Sequence, residues 1–127
     1  MNIVEIPTKF ELARCKHIVN VLDHLYSENF GDCCNSNLTI NIARNSKRLI
    51  ITKDRQLNTF YHELVHAILY AIERDDLNEN ETFITNFGNM LMEFDLTRDN
   101  IPHRVIETSM CFVDDGCYEE LINLTKL

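Results

Sequence analysis

The sequence predicts an α+β domain on three observations. Apolar residues recur at helical spacing in three stretches, near positions 10–25, 57–72 and 83–94. Between the first two, strict alternation at 37–42 and a β-branched run at 48–52 mark strands. A chain of 127 residues, 45% apolar and 25% charged, is long enough for one compact core, and no break in composition asks for a second. The expected layout is therefore a single domain over 1–127, with its core at about 8–94 and a C-terminal extension over 95–127.

Taken in order, a short strand at 3–6 precedes Pro7 and Thr8, which open a helix. Phe10, Ala13, Ile18, Val21, Leu22 and Leu25 follow its apolar face, making an N-terminal helix of about five turns. His17 and His24 sit seven positions apart on its flank, about 10 Å along the axis, too far to share an ion, and are expected at the boundary or surface. The helix should stop near Asn29, Phe30, Gly31 and Asp32. Strand 37–42, a turn at Arg44, Asn45 and Ser46, and a returning strand at 48–52 read as a hairpin. Asp54 is a natural N-cap for the next helix, which should bury Leu57, Tyr61, Leu64, Val65, Ile68 and Ile72. A polar break at 75–80 leads into a further helix carrying Phe83, Ile84, Phe87, Met90, Leu91 and Phe94. Beyond a link at 96–102 come a β-prone run at 105–113, a turn at 114–116 and a terminal helix.

A net charge of −8 argues against a surface that tracks phosphates, so nucleic-acid binding is not expected. The one basic cluster, Arg44, Lys47, Arg48, Lys53 and Arg55, reads as a solvated edge that discourages aggregation. Five cysteines are an odd number and match no common metal-binding spacing, so reduced and mostly buried thiols are expected. The N-terminus has no basic region followed by an apolar stretch, and no run of about eighteen apolar residues occurs. A soluble, cytosolic protein with no membrane partner is the expectation.

The chemistry is carried by His62-Glu63-Leu64-Val65-His66. Two histidines four apart project from one helical face and can grip one ion, while the glutamate beside one of them can hold an attacking water. A catalytic zinc takes a third protein ligand. The compact three-histidine arrangement would need Gly at position 69 and His at 72, where this chain has Leu69 and Ile72. Glu73 lies seven residues past His66 on the same helix and is out of reach. Glu81, which opens the next helix, is the first candidate, with Glu93 and His103 in reserve. Tyr70, His103 and Tyr118 are candidate oxyanion donors, and Thr85, Asn86 and Asn89 candidate partners for the imidazoles.

The stretch 59–69, followed by 77–84, resembles small phage and bacterial zincin-like proteins related to the ImmA/IrrE and SprT-like groups. The resemblance covers roughly 38–94. It implies a minimal gluzincin: a minimal zincin-like fold with a helix, a small β-sheet with a hairpin, an active-site helix and a following helix. It implies His62 and His66 as zinc ligands, Glu81 as the third and Glu63 as catalytic base. Asn86 to Met92 is bulkier than the alanine-rich segment usual in that family, no proline follows Met92, and the tail from Thr97 has no counterpart. The implied function is zinc-dependent hydrolysis of peptide bonds in a protein or peptide substrate. The alternative is a weakly catalytic, zinc-binding regulatory or protein-interaction module. So short a chain leaves little room for a deep cleft, so a second protein is expected to complete it.

Overall fold

The computed structural model describes residues 3–99, a mixed α+β unit. Its strands are β1 (Lys9–Leu12), β2 (Cys15–Leu22), β3 (Gly31–Cys34), β4 (Thr39–Ala43), β5 (Asn45–Ser46) and β6 (Leu49–Ile50). Its helices are α1 (Lys53–Ala71), α2 (Asp75–Asn78) and α3 (Glu81–Thr97). The first four strands form one sheet in the order β1-β2-β4-β3, with β2 and β4 parallel and both outer pairings antiparallel. The readings for 105–127, with His103 and Tyr118, lie outside the described residues.

The expected N-terminal helix is instead the hairpin β1–β2. Ala13 and Arg14 both take left-handed φ, 51° and 66°, so a two-residue turn sends the chain back at Cys15. Alternation then governs β2: His17 and Val19 are buried, while Ile18 and Leu22 stay exposed. Phe10, Ile18 and Val21 thus fall at helical spacing while lying on strands of period two, with Ala13 in the turn between them. His17, expected at a boundary or surface, is 3% exposed, its ring stacked on Phe10 at 4.9 Å; His24 is exposed as expected.

The expected hairpin is also rearranged. Gly31, read as part of a turn, begins β3, which pairs antiparallel with β4, and β4 lies in the sheet interior beside β2. The run after Ser46 does not return along β4 but closes a two-residue ladder, β5–β6, around Lys47 and Arg48, both left-handed. Ile40 and Ile42 are wholly buried, and each full burial contributes roughly 1.5–3 kcal/mol. On the other face of the sheet a polar ladder crosses three strands: Asn20 donates to Asn41 at 3.1 Å and Asn41 to Asp32 at 2.9 Å.

The α1 helix lies between the sheet and α3, which is why its buried positions exceed one stripe. Leu57, Phe60 and Ala67 join Val19, Ile40 and Ile42 in one core cluster, while Val65 and Leu69 pack with Ile84 of α3 in another. Ile72, expected inside, is 58% exposed because the helix has ended at Ala71. The N-cap is Thr52, not Asp54: its side chain accepts from the Arg55 amide at 3.2 Å, and Asp54 sits in the first turn, where its charge favours the helix dipole.

Two glycines set the layer spacing. A Cβ on Gly31 would stand 2.4 Å from Thr59 Cγ2 and 3.4 Å from Glu63 Cγ, so the bare backbone of β3 lets α1 settle onto the sheet edge. A Cβ on Gly88 would meet His62 Cα and N at 3.3 Å, so α3 presses its backbone against the histidine-bearing turn of α1. Among the described residues no helix is long and apolar enough to cross a membrane.

Candidate metal centre

His62 and His66 stand one turn apart on α1, half-buried, with their rings 5.2 Å apart. The third donor enters from α3. Asn80 caps that helix by accepting from the Phe83 amide at 3.0 Å, which makes Glu81 its first residue and aims its carboxylate over α1. Glu81 Oε1 lies 3.1 Å from His62 Nε2, and Oε2 lies 3.4 Å from His66 Nε2. Donors at the corners of a tetrahedron with bonds of about 2.1 Å lie about 3.4 Å apart, so these spacings suit one ion. The three donor atoms all fall within 4.8 Å of one another, and together His62, His66 and Glu81 could hold a metal ion.

Glu81 reaches both imidazoles because of the way the two helices pair. Ile84 packs with Val65 and Leu69, Gly88 abuts His62, and Asn89 accepts from Asn58 at 2.7 Å, so the helices run in opposite senses. Glu81 then lies a turn beyond Ile84, and close contact at Gly88 brings its extended side chain back to both imidazoles.

Orientation of His66 comes from a residue the sequence reading passed over. Asn78 Oδ1, on α2, lies 2.5 Å from His66 Nδ1. An amide oxygen only accepts, so Nδ1 carries the proton and Nε2 keeps the lone pair a metal needs. In the sequence Asn78 is one more polar residue of the break at 75–80; only its position three before Glu81 hints at the role. The expected partners do not serve: Asn89 bonds Asn58, and Thr85 and Asn86 are exposed beside Glu81 with no bond to either imidazole.

Glu63, next to His62 on α1, has its Cγ against Gly31 of β3, feels the charge of Glu81 and is 8% exposed. Burial, with the charges of Asp32 and Glu81 adding, pushes its carboxyl up to about 7. On the same strand Cys33 is half-buried; burial, with Glu63 next, pushes its thiol up to about 12. The adjacent Cys34 bonds Ser36 and is held below the ordinary thiol range, chiefly by that bond. Cys15, Cys33 and Cys34 are free, but Cys15 is exposed, against the expectation of buried thiols. Cys111 and Cys117 lie outside the described residues.

The remaining candidates fall elsewhere. Glu73 is exposed past the end of α1, and Glu93 lies twelve residues along α3 from Glu81, about 18 Å; neither joins the donor group. Tyr70 lines a separate cavity with His17. The basic cluster is spent on local contacts at two points, with Arg44 paired to Asp23 at 3.0 Å and Arg55 over the Phe30 ring at 5.1 Å. Comparison of the chain with protein-family models, with curated proteins and with solved structures returned no match.

Proposed function

We propose that this chain is a zinc-dependent peptidase of minimal zincin type, with His62, His66 and Glu81 holding the ion and Glu63 acting as general base. The observation that carries the reading is the convergence of two Nε2 atoms and one carboxylate within 4.8 Å, one residue away from a buried glutamate. Two imidazoles and a carboxylate suit zinc better than calcium or magnesium, which take oxygen ligands, and the Asn78 bond presents His66 as a ligand needs to be presented. When bound, the ion supplies a Lewis acid that acidifies water and polarises a carbonyl. Glu63 accepts the proton of the attacking water and returns it to the departing amine. The outer edge of β3 pairs with no strand among the described residues and runs beside Glu63, so an extended peptide can lie along it by main-chain hydrogen bonds.

A second reading, a zinc-holding interaction module with little turnover, is favoured by one feature. The surface beside His66 is a shallow depression lined by Asp75, Asn78 and Glu79 rather than a deep cleft. The variant Glu63→Gln separates the two. Under the peptidase reading it keeps one zinc per chain and loses cleavage of an unstructured peptide mixture by about two orders of magnitude or more. Equal cleavage by the variant and the native chain, or none by a zinc-loaded native chain, contradicts that reading.

A further inference from the structure

A second cavity, of about 430 Å³, opens between the β1–β2 turn and the C-terminal end of α1. Leu12, Leu38 and Ala71 make its apolar walls, and Tyr70, Glu73 and Asp75 its polar ones, with His17 at the base. His17 Nδ1 lies 3.1 Å from the Cys15 carbonyl, which can only accept, so Nδ1 carries the proton and Nε2 is a lone-pair acceptor in the uncharged ring. Among the described residues every sealed side-chain nitrogen or oxygen has a hydrogen-bond partner. Nε2 has none, although His17 is only 3% exposed, so the nitrogen is open to the cavity that His17 lines.

The cavity therefore offers one buried acceptor, two carboxylates and a phenol behind apolar walls, a set that receives a donor-bearing cation on an aliphatic stem. The one cation between the two carboxylates in sequence, Arg74, is turned onto Asp76 by bonds of 2.9 and 2.8 Å. A bare metal ion is not the fit, since the only group of three or more donors that could hold one among the described residues is His62, His66 and Glu81, outside this cavity. Asp75 borders this cavity and also the depression beside His66 and Asn78, so the two adjoin.

We propose that this cavity receives the lysine or arginine side chain of a peptide, with Glu73 and Asp75 facing the cation and His17 Nε2 accepting one of its hydrogens. As a pocket that selects substrates, it rests on the peptidase reading above; as a binding site, it does not.

Calorimetric titration with Nα-acetyl-lysinamide, alongside proton NMR of the His17 imidazole, tests it on the full chain without metal. The expected result is saturable binding that shifts the His17 resonance. Binding should weaken about tenfold or more in the double variant Glu73→Gln/Asp75→Asn and stay unchanged in His62→Ala. No saturable shift, equal binding of the norleucine counterpart, or unchanged affinity in the double variant overturns the proposal. Tighter binding of cadaverine than of the lysinamide overturns its assignment to a peptide side chain. Since neither metal nor turnover enters, failure here leaves the zinc reading standing, and failure of the zinc reading leaves this binding site standing.

Discussion

Asn78 touches the candidate metal group only through His66, so under the zinc reading its removal should leave the fold intact and cost affinity. Asn78→Ala frees the His66 ring to rotate and to carry its proton on either nitrogen, and zinc affinity should fall about 10- to 100-fold with little change in circular dichroism. A competition titration against a chelator of known affinity measures this, and an unchanged affinity removes Asn78 from the account. The neighbouring thiols of β3 make a second contrast at this scale. Alkylation needs the thiolate, and Cys33, pushed up to about 12 by burial and by Glu63, is almost wholly protonated at pH 8, whereas Cys34 is shifted downward. Iodoacetamide at pH 8 should therefore label Cys34 well before Cys33, as read by peptide mass spectrometry. The gap should close in denaturant and narrow as pH rises toward 12. Faster labelling of Cys33 in the folded chain would contradict the burial described for it.

The helices carry the site because two glycines let backbones touch, and both contacts can be overfilled. In Gly88→Val the added methyls enter space where a lone Cβ already meets the backbone of Tyr61 and His62 at 3.3–3.4 Å. Moving α3 outward should cost roughly 1–3 kcal/mol of stability and also weaken zinc binding, because Glu81 moves with the helix. Gly31→Ala forces Thr59 off the strand and should displace Glu63; under the peptidase reading this lowers turnover more than metal affinity. Thermal melts paired with zinc titration and peptide cleavage separate these outcomes; a Gly88→Val chain that binds zinc as tightly as the native one contradicts the helix contact. At this scale the sequence was uneven to read. The helices α1 and α3 were legible because apolar residues recur at helical spacing and each is capped by an adjacent Thr or Asn. The α3 stripe is not buried throughout, however: among the described residues Ile84 is buried, while Phe87, Met90 and Phe94 are exposed. The β1–β2 hairpin was not legible, since its turn is Ala13-Arg14 with no glycine or asparagine to announce left-handed φ. Nor was β3, where Gly31 read as a turn residue although its lack of a side chain serves packing.

For the molecule as a whole, the group that could hold a metal ion was legible because helical geometry alone puts His62 and His66 on one face and Glu81 heads the helix packed against them. What escaped was the wrapping that positions it: which strand borders Glu63, which asparagine turns His66 and what His17 faces are all set by contacts between distant segments. Under the zinc reading, those contacts tie metal binding to folding. Zinc at about a hundred times its dissociation constant should add about 2.7 kcal/mol of stability and raise the melting temperature by on the order of 10 °C. His62→Ala should abolish that rise, and a chelator should reverse it. The most direct test is X-ray absorption at the zinc edge of the loaded chain. The expected first sphere holds two histidine nitrogens and carboxylate oxygen at about 2.0–2.2 Å, and one fewer nitrogen in His66→Ala. A sulfur scatterer at about 2.3 Å, which would put Cys33, Cys34 or another thiol on the metal, or failure of the chain to take up zinc at all, would contradict it.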